Sequence, residues 1–154
     1  MNRKVRILIA EDDDGHANLL NLHLKRAGIN NESMRFNNGQ EILHFLFRIG
    51  KGPHRKSNAA YFLLLDLKMP KVDGIEVLKK IKAESELCKI PVAILTTTQD
   101  PRDIENCYTL GCNFYLVKPF GNDDFSGITK ALALLIQTME HPQINGVLKC
   151  PSES

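Results

Sequence analysis

The sequence predicts a doubly wound α/β fold, an open parallel sheet covered by helices on both faces. Three observations predict it. Five short apolar runs alternate with five stretches of helical periodicity along the 154 residues. The runs at 61–65 and 92–95 are apolar without alternation, as in strands buried on both faces. Glu11, Asp66, Thr96 and Lys118 stand at the ends of four of these runs, where open parallel sheets keep their ligand sites.

Each element has its own signals. The first strand covers residues 5–10 and stops at Glu11-Asp12-Asp13-Asp14. Residues 16–27 read as a helix, with Leu20, Leu24 and Ala27 on one face and Gly28 in the usual stop position. A short strand is expected at 32–36. Asn38-Gly39 then opens a helix carrying Ile42, Leu43, Phe45, Leu46 and Ile49. Residues 50–60 are expected as a loop, basic at Lys51, Arg55 and Lys56. The strand at 61–65 leads into Asp66, and Pro70 and Gly74 stop it and shape a turn. A helix at 75–84 turns Val77, Leu78 and Ile81 inward and Lys79, Lys80 and Lys82 outward. Pro91 introduces the strand at 92–95, and Thr96-Thr97-Thr98-Gln99 is its exit loop. Asp100-Pro101, a cap followed by a first-turn proline, starts a helix that runs to Leu110 and ends at Gly111. The strand at 114–117 stops at Lys118-Pro119. The last helix, Asp123 to Thr138, carries Phe125, Ile128, Leu132 and Leu135 at helical spacing, with Met139 just beyond. Residues 1–140 read as one domain, and 141–154, with two prolines and a glycine, as a loose tail.

Composition narrows the function classes. A chain of 154 residues buries roughly 68–70% of its unfolded surface and needs no staples. A formal net charge of +2 argues for neither nucleic acid nor an anionic membrane. No apolar run approaches a membrane span, and no secretory signal stands at the N-terminus, so a cytoplasmic location is expected. Cys88, Cys107, Cys112 and Cys150 have no metal-ligand spacing and read as incidental thiols in a reducing compartment.

Right-handed crossovers leave few strand orders. The flavodoxin-like order 2-1-3-4-5 sets the first and third strands side by side at the switch point. Glu11, Asp12 and Asp66 then converge on one crevice, with Thr96 and Lys118 joining from the side. Three carboxylates repel, by on the order of 4 kcal/mol per pair at about 4 Å and an effective dielectric near 20. Lys118 offsets one charge, and a hard divalent cation offsets two more. Oxygen-only ligands favour Mg²⁺ over zinc or copper. A carboxylate beside Mg²⁺ and a lysine can attack phosphorus and form an aspartyl phosphate. Phosphoryl transfer then needs in-line positioning and charge on the equatorial oxygens. Metal, Lys118, the Thr96 hydroxyl and a nearby backbone N–H meet those needs. Singly, these residues have ordinary readings: Asp66 as a turn residue, the acids as a helix start, Lys118 as a surface lysine. Four of them at four strand ends form a specific combination.

The stretches Ile7-Leu8-Ile9-Ala10-Glu11-Asp12-Asp13, Leu65-Asp66-Leu67-Lys68-Met69-Pro70 with Asp73-Gly74, Ile94-Leu95-Thr96-Thr97 and Tyr115-Leu116-Val117-Lys118-Pro119-Phe120 resemble receiver domains of two-component response regulators over residues 4–139. The resemblance implies that Asp66 accepts phosphate from a phosphohistidine on a histidine kinase or phosphotransfer protein. It implies that Asp12 and Asp66 hold Mg²⁺ with the backbone carbonyl of Lys68, and that Glu11 acts mainly through a bound water. Lys118 and the backbone of Thr97 contact the phosphoryl group, and the bond before Pro119 is expected to be cis. A switch is implied as well: phosphate draws the Thr96 hydroxyl inward and Tyr115 moves into the vacated space. For Tyr115 the alternative is a half-buried strand aromatic. Asp13 is either a helix cap or an added negative charge at the metal.

The basic 50–60 loop and the doubled Thr96-Thr97 resemble stand-alone, phytochrome-associated response regulators, which points to a phytochrome-type kinase. Thr97 departs from the small residue common there. It is expected to narrow access and slow hydrolysis, so equal dephosphorylation rates for Thr97→Ala and the parent would sink that expectation. No output domain is expected after residue 140, so the output is binding to a downstream protein, without nucleic acid or membrane. Ala131 and Leu134 broaden the apolar surface of the last helix, which leaves both packing under the tail and a homodimer open. The loop at 51–56 is either solvated or meets an anionic partner. Two other classes compete. A receiver-like scaffold acting without phosphate usually loses part of the acid pair, the Asp or the Lys, all present here. An aspartyl-phosphate phosphatase would place a second Asp two residues after the nucleophile, where Lys68 stands. No P-loop sequence occurs, and no enzyme activity is expected beyond self-phosphorylation and self-dephosphorylation.

Overall fold

A computed structural model describes residues 5–119 and 125–146. The apolar runs become β1 (Arg6–Ala10), β2 (Ser33–Phe36), β3 (Ala59–Leu65), β4 (Val92–Thr96) and β5 (Phe114–Val117). All neighbours among them pair in parallel, in the order β2-β1-β3-β4-β5. The expected strand order is therefore the observed one. In register, Ala10 lies beside Leu65 and Phe36, so β1 and β3 end level and their exits share one edge.

Strand alternation divides the core in two. Leu8, Ala10, Leu63, Leu65 and Ile94 meet α2 (Gly39–Phe47), α3 (Gly74–Lys82) and α4 (Pro101–Leu110). Ile7, Ile9, Phe62, Leu64 and Leu95 meet α1 (Asp14–Arg26) and α5 (Ser126–Thr138) on the other face. Val77, Leu78 and Ile81 are fully buried, and each such side chain contributes about 1.5–3 kcal/mol relative to exposure. Four helix starts are capped by side chains: Asp13, Asn38, Asp73 and Asp100 accept the backbone N–H of His16, Glu41, Glu76 and Arg102. Each cap is worth about 1 kcal/mol. Capping is thus the observed place of Asp13.

Several local expectations are corrected. Arg48 takes a left-handed backbone, φ 58°, and ends α2 at Phe47, so Ile49 leaves the helix and stands 49% exposed. Lys82 does not face out; its ammonium donates to the carbonyls of Cys88 (3.0 Å) and Ile90 (2.9 Å). β3 begins at Ala59 inside the expected loop, because Ala59 and Ala60 pair antiparallel with β6 (Gln143–Ile144). Residues 141–146 are therefore not loose. Arg55 is buried rather than solvated and donates to Leu46 O (3.0 Å) and Asn145 O (3.1 Å). Arg48 and Ser57 both donate to Gly146 O. Among the described residues the cis peptide bond is Gly52–Pro53; Lys118–Pro119 is not cis, in line with the ordinary trans preference of about 0.5–1 kcal/mol at X–Pro bonds. Phe120, Asp123, Cys150 and the tail after Gly146 lie outside the described residues. Cys88, Cys107 and Cys112 are free thiols. No described helix is long and apolar enough to cross a membrane.

Candidate functional site

The parallel ladder delivers the acidic residues to one edge. The N–H of Glu11 donates to Phe36 O (3.0 Å) and that of Asp66 to Ala10 O (3.0 Å), so both sit one step past the last strand residue. There the backbone turns away and the carboxylates are left facing the crevice between β1 and β3. Gly74 makes the turn possible. A Cβ on it would lie 2.2 Å from the Asp66 carbonyl oxygen, closer than any side chain tolerates. β4 and β5 end level too, with the Lys118 N–H donating to Thr96 O (2.7 Å).

One carboxylate oxygen from each of Glu11, Asp12 and Asp66 falls within 4.8 Å of the other two. Glu11 and Asp66 are buried and Asp12 is exposed. The Lys118 ammonium, 3% exposed, donates to Asp66 Oδ2 at 3.0 Å and to Glu11 Oε1. The free oxygens have backbone donors: Asp13 N–H on Glu11 Oε2 (3.1 Å) and Lys68 N–H on Asp66 Oδ1 (3.3 Å). Burial, followed by the Asp66 charge, pushes the Glu11 carboxyl above the usual range, and the lysine contact does not reverse it. Burial works against the Lys118 charge, but the two carboxylates outweigh it and raise its pKa.

Three carboxylates against one ammonium leave two formal negative charges, the charge of one divalent cation. All-oxygen donors suit a hard ion, and the exposed side of Asp12 leaves room for the waters that Mg²⁺ retains. Thr96 gives an independent sign of a missing partner. It is fully buried, and its Oγ1 has no hydrogen bond, a condition that costs about 1–3 kcal/mol.

Of the residues singled out in the sequence, Glu11, Asp12, Asp66 and Lys118 come together. Lys68 touches the cluster through its N–H. Tyr115 is half-buried and donates its hydroxyl to Thr98 O (2.9 Å); burial, then the nearby Cys107 and Asp103, push its phenol up to about 12. Thr97 is half-buried beside Thr96. Two contributors escaped the sequence reading. Arg35 on β2 donates Nε and Nη2 to the Glu11 carbonyl (3.0 and 2.9 Å) and pairs with Asp14, pinning the β1 exit. His16 places Nδ1 3.4 Å from Lys118 Nζ and 3.9 Å from Glu11 Oε1. No local signal announced it, since Asp12 precedes the Asp13 cap of α1 and Lys118 arrives from the end of β5. A separate apolar groove of about 740 Å³ lies between α2 and α3, lined by Leu43, Phe47, Ile49 and Val72 with Lys71 and Lys80 at its margin. It contains none of Glu11, Asp12 and Asp66, so the chemistry belongs to the crevice.

Known proteins share this fold. The chain is similar to a solved response regulator receiver domain from Rhodospirillum rubrum, with 39% identity, a TM-score of 0.85, and coverage of 92% of this chain and 100% of that one. Response regulator Rcp1 of Synechocystis sp. is 37% identical over 112 residues, 73% of this chain and 75% of Rcp1. A Mn²⁺-bound form of Rcp1 superposes with a TM-score of 0.80 at 32% identity over 90% of this chain and 99% of that one. The phosphorylated cyanobacterial phytochrome response regulator RcpA does so with a TM-score of 0.80 at 28% identity, covering 90% and 99%. The likeness therefore extends to phytochrome response regulators. A family profile described as response regulator receiver domain matches residues 7–130. Those residues begin in β1 and end inside α5, so every strand of the parallel sheet is included, and the chain belongs to the response regulator receiver domain family of two-component signalling.

Proposed function

We propose that Asp66 is the phosphoryl acceptor of a His–Asp relay and that its phosphorylation switches protein–protein contacts. The observation that carries this reading is the buried Lys118 ammonium 3.0 Å from Asp66 Oδ2, at the sheet's switch point. In the reaction an Asp66 oxygen attacks phosphorus in line. The O–P bond forms, the N–P bond of the donor phosphohistidine breaks, and its imidazole leaves with the electron pair. Lys118 moves one N–H from the carboxylate to an equatorial phosphoryl oxygen. The partnerless Thr96 hydroxyl donates to a second, and the Thr97 backbone N–H lies next in the chain. Asp12, Asp66 and the Lys68 carbonyl would hold Mg²⁺, with Glu11 acting through a bound water. When bound, Mg²⁺ supplies the positive charge that lets the transferring group approach three carboxylates.

Recruitment of Thr96 would free space beside Tyr115, whose hydroxyl donates to the Thr98 carbonyl. Movement of that ring would alter the face built by α4, β5 and α5. The donor is a histidine kinase or phosphotransfer protein, of phytochrome type by likeness to RcpA, and the setting is the cytoplasm. The scaffold and phosphatase readings have no observation in their favour: acid pair, Asp66 and Lys118 are all in place, and Lys68 occupies the phosphatase's second Asp position.

Intact mass after incubation with Mg²⁺ and acetyl phosphate tests the proposal, with Asp66→Asn alongside. A gain of one phosphoryl group is expected, absent without Mg²⁺ and absent in the variant. No gain from acetyl phosphate or from a panel of histidine kinases would leave the scaffold reading in its place.

A further inference from the structure

A lysine ammonium has three N–H donors and no acceptor. Around Lys118 Nζ the described residues offer three acceptors: Glu11 Oε1, Asp66 Oδ2 and His16 Nδ1. The first two are buried carboxylate oxygens. His16 stands in the first turn of α1 with its side chain 46% exposed. Because the ammonium can only donate, the ring nitrogen facing it must carry the lone pair, which places the ring proton on Nε2. The four-carbon lysine stem does not fix the direction of its charge by itself. Two carboxylates on separate strands compete for it, and the phosphoryl group arrives on only one of them.

We propose that His16 is a positioning residue, whose Nδ1 accepts the third N–H of Lys118 and holds the ammonium between Glu11 and Asp66. The inference rests on the reading of Asp66 as phosphoryl acceptor for its kinetic consequence, but not for the contact itself. Without the imidazole, Lys118 is free to turn fully onto Glu11, and the charge awaiting the phosphoryl oxygen beside Asp66 is less often in place. At 3.4 Å and half exposed, the contact is a weak hydrogen bond. Its loss is expected to slow phosphoryl acceptance about fivefold rather than abolish it.

Two measurements on the full chain test this. The first compares phosphorylation rates with Mg²⁺ and acetyl phosphate for the parent, His16→Ala, His16→Asn and His16→Gln. The Asn side-chain oxygen falls near the place of Nδ1 and that of Gln near Nε2. Asn should therefore recover most of the rate, while Ala and Gln both stay about fivefold slow. A general packing role would not separate Asn from Gln. Parent-like rates for Ala, or equal rates for Asn and Gln, overturn the proposal. The second is the ¹⁵N spectrum of the imidazoles at neutral pH. The Nε2–H tautomer of His16 is expected in the parent, and an Nδ1–H tautomer overturns the contact. The spectrum needs no phosphoryl transfer, so it decides the contact even if the parent accepts no phosphate and the Asp66 reading fails.

Discussion

Thr96 carries a cost that the proposed phosphoryl contact would offset. Its hydroxyl is buried without a partner, and Thr96→Val keeps the shape while removing the unsatisfied group. The variant is expected to gain about 1 kcal/mol in urea unfolding without Mg²⁺ and to accept phosphate at least about tenfold more slowly. An unchanged phosphorylation rate would remove Thr96 from the phosphoryl contacts. Lys118 gives the opposite pattern. Lys118→Met leaves Glu11 and Asp66 buried without their cation and is expected to cost about 3 kcal/mol at neutral pH. The folded state raises the Lys118 pKa above 10.5 despite burial, through Glu11 and Asp66. Above 10.5 the unfolded chain loses this proton first, so it binds fewer protons than the folded one and stability falls as pH rises. The stability gap between parent and variant should therefore be flat from about neutral pH to 10.5 and narrow through the raised pKa. A gap that stays constant to about pH 12 would mean that the ammonium is not held by the carboxylates. These residues were legible in the sequence because strand ends are legible. His16 was not, since its role depends on a lysine that arrives from β5.

At the scale of elements, the β3–α3 connection sets the site. Asp66, its carbonyl and the α3 cap Asp73 are packed into one turn, with the Gly74 N–H donating to Leu67 O (2.8 Å). The prospective Cβ at Gly74 lies 2.2 Å from the Asp66 carbonyl oxygen and 2.7 Å from Leu67 Cα, whereas that at Gly127 in α5 meets nothing within 4 Å. Gly74→Ala is expected to cost about 2–3 kcal/mol and to slow phosphorylation. Gly127→Ala is expected to gain up to about 1 kcal/mol. Thermal melts of the two check this, and equal effects would mean that the turn relaxes around the new methyl group. Helix starts were read well because caps are local: Asp100-Pro101 and Asn38-Gly39 open helices where expected. The end of α2 was misread, since Ile49 continues the apolar period while Arg48 breaks the backbone.

For the molecule as a whole, the clasp formed by Arg48, Arg55 and Ser57 ties the chain around residues 145–146 to the base of α2 and β3. Arg55 is a buried guanidinium bound to backbone carbonyls, so Arg55→Met leaves two acceptors unmatched. Amide exchange at Asn58, whose N–H donates to Ile144 O (2.9 Å), is expected to accelerate about 30-fold or more. Exchange at Leu8, at the centre of the sheet, should keep the rate set by global opening. Equal protection of Asn58 in both proteins would show that β6 holds without the clasp.

The sequence alone determined the class of fold, the order of the parallel strands and the meeting of Glu11, Asp12, Asp66 and Lys118 at one edge of the sheet. Each of these follows from short-range patterns: apolar runs, turn residues and the polar residue that ends each run. Tertiary structure alone decided the pairing of β6 with Ala59 and Ala60, the burial of Arg55, the turn of Lys82 onto the Ile90 carbonyl, and the placing of Arg35 and His16 around the crevice. Those contacts join residues far apart in the chain or turn on a single backbone angle. A two-residue strand or a buried guanidinium has no periodicity to announce it, and its energy comes from partners that adjoin it only once the sheet has closed.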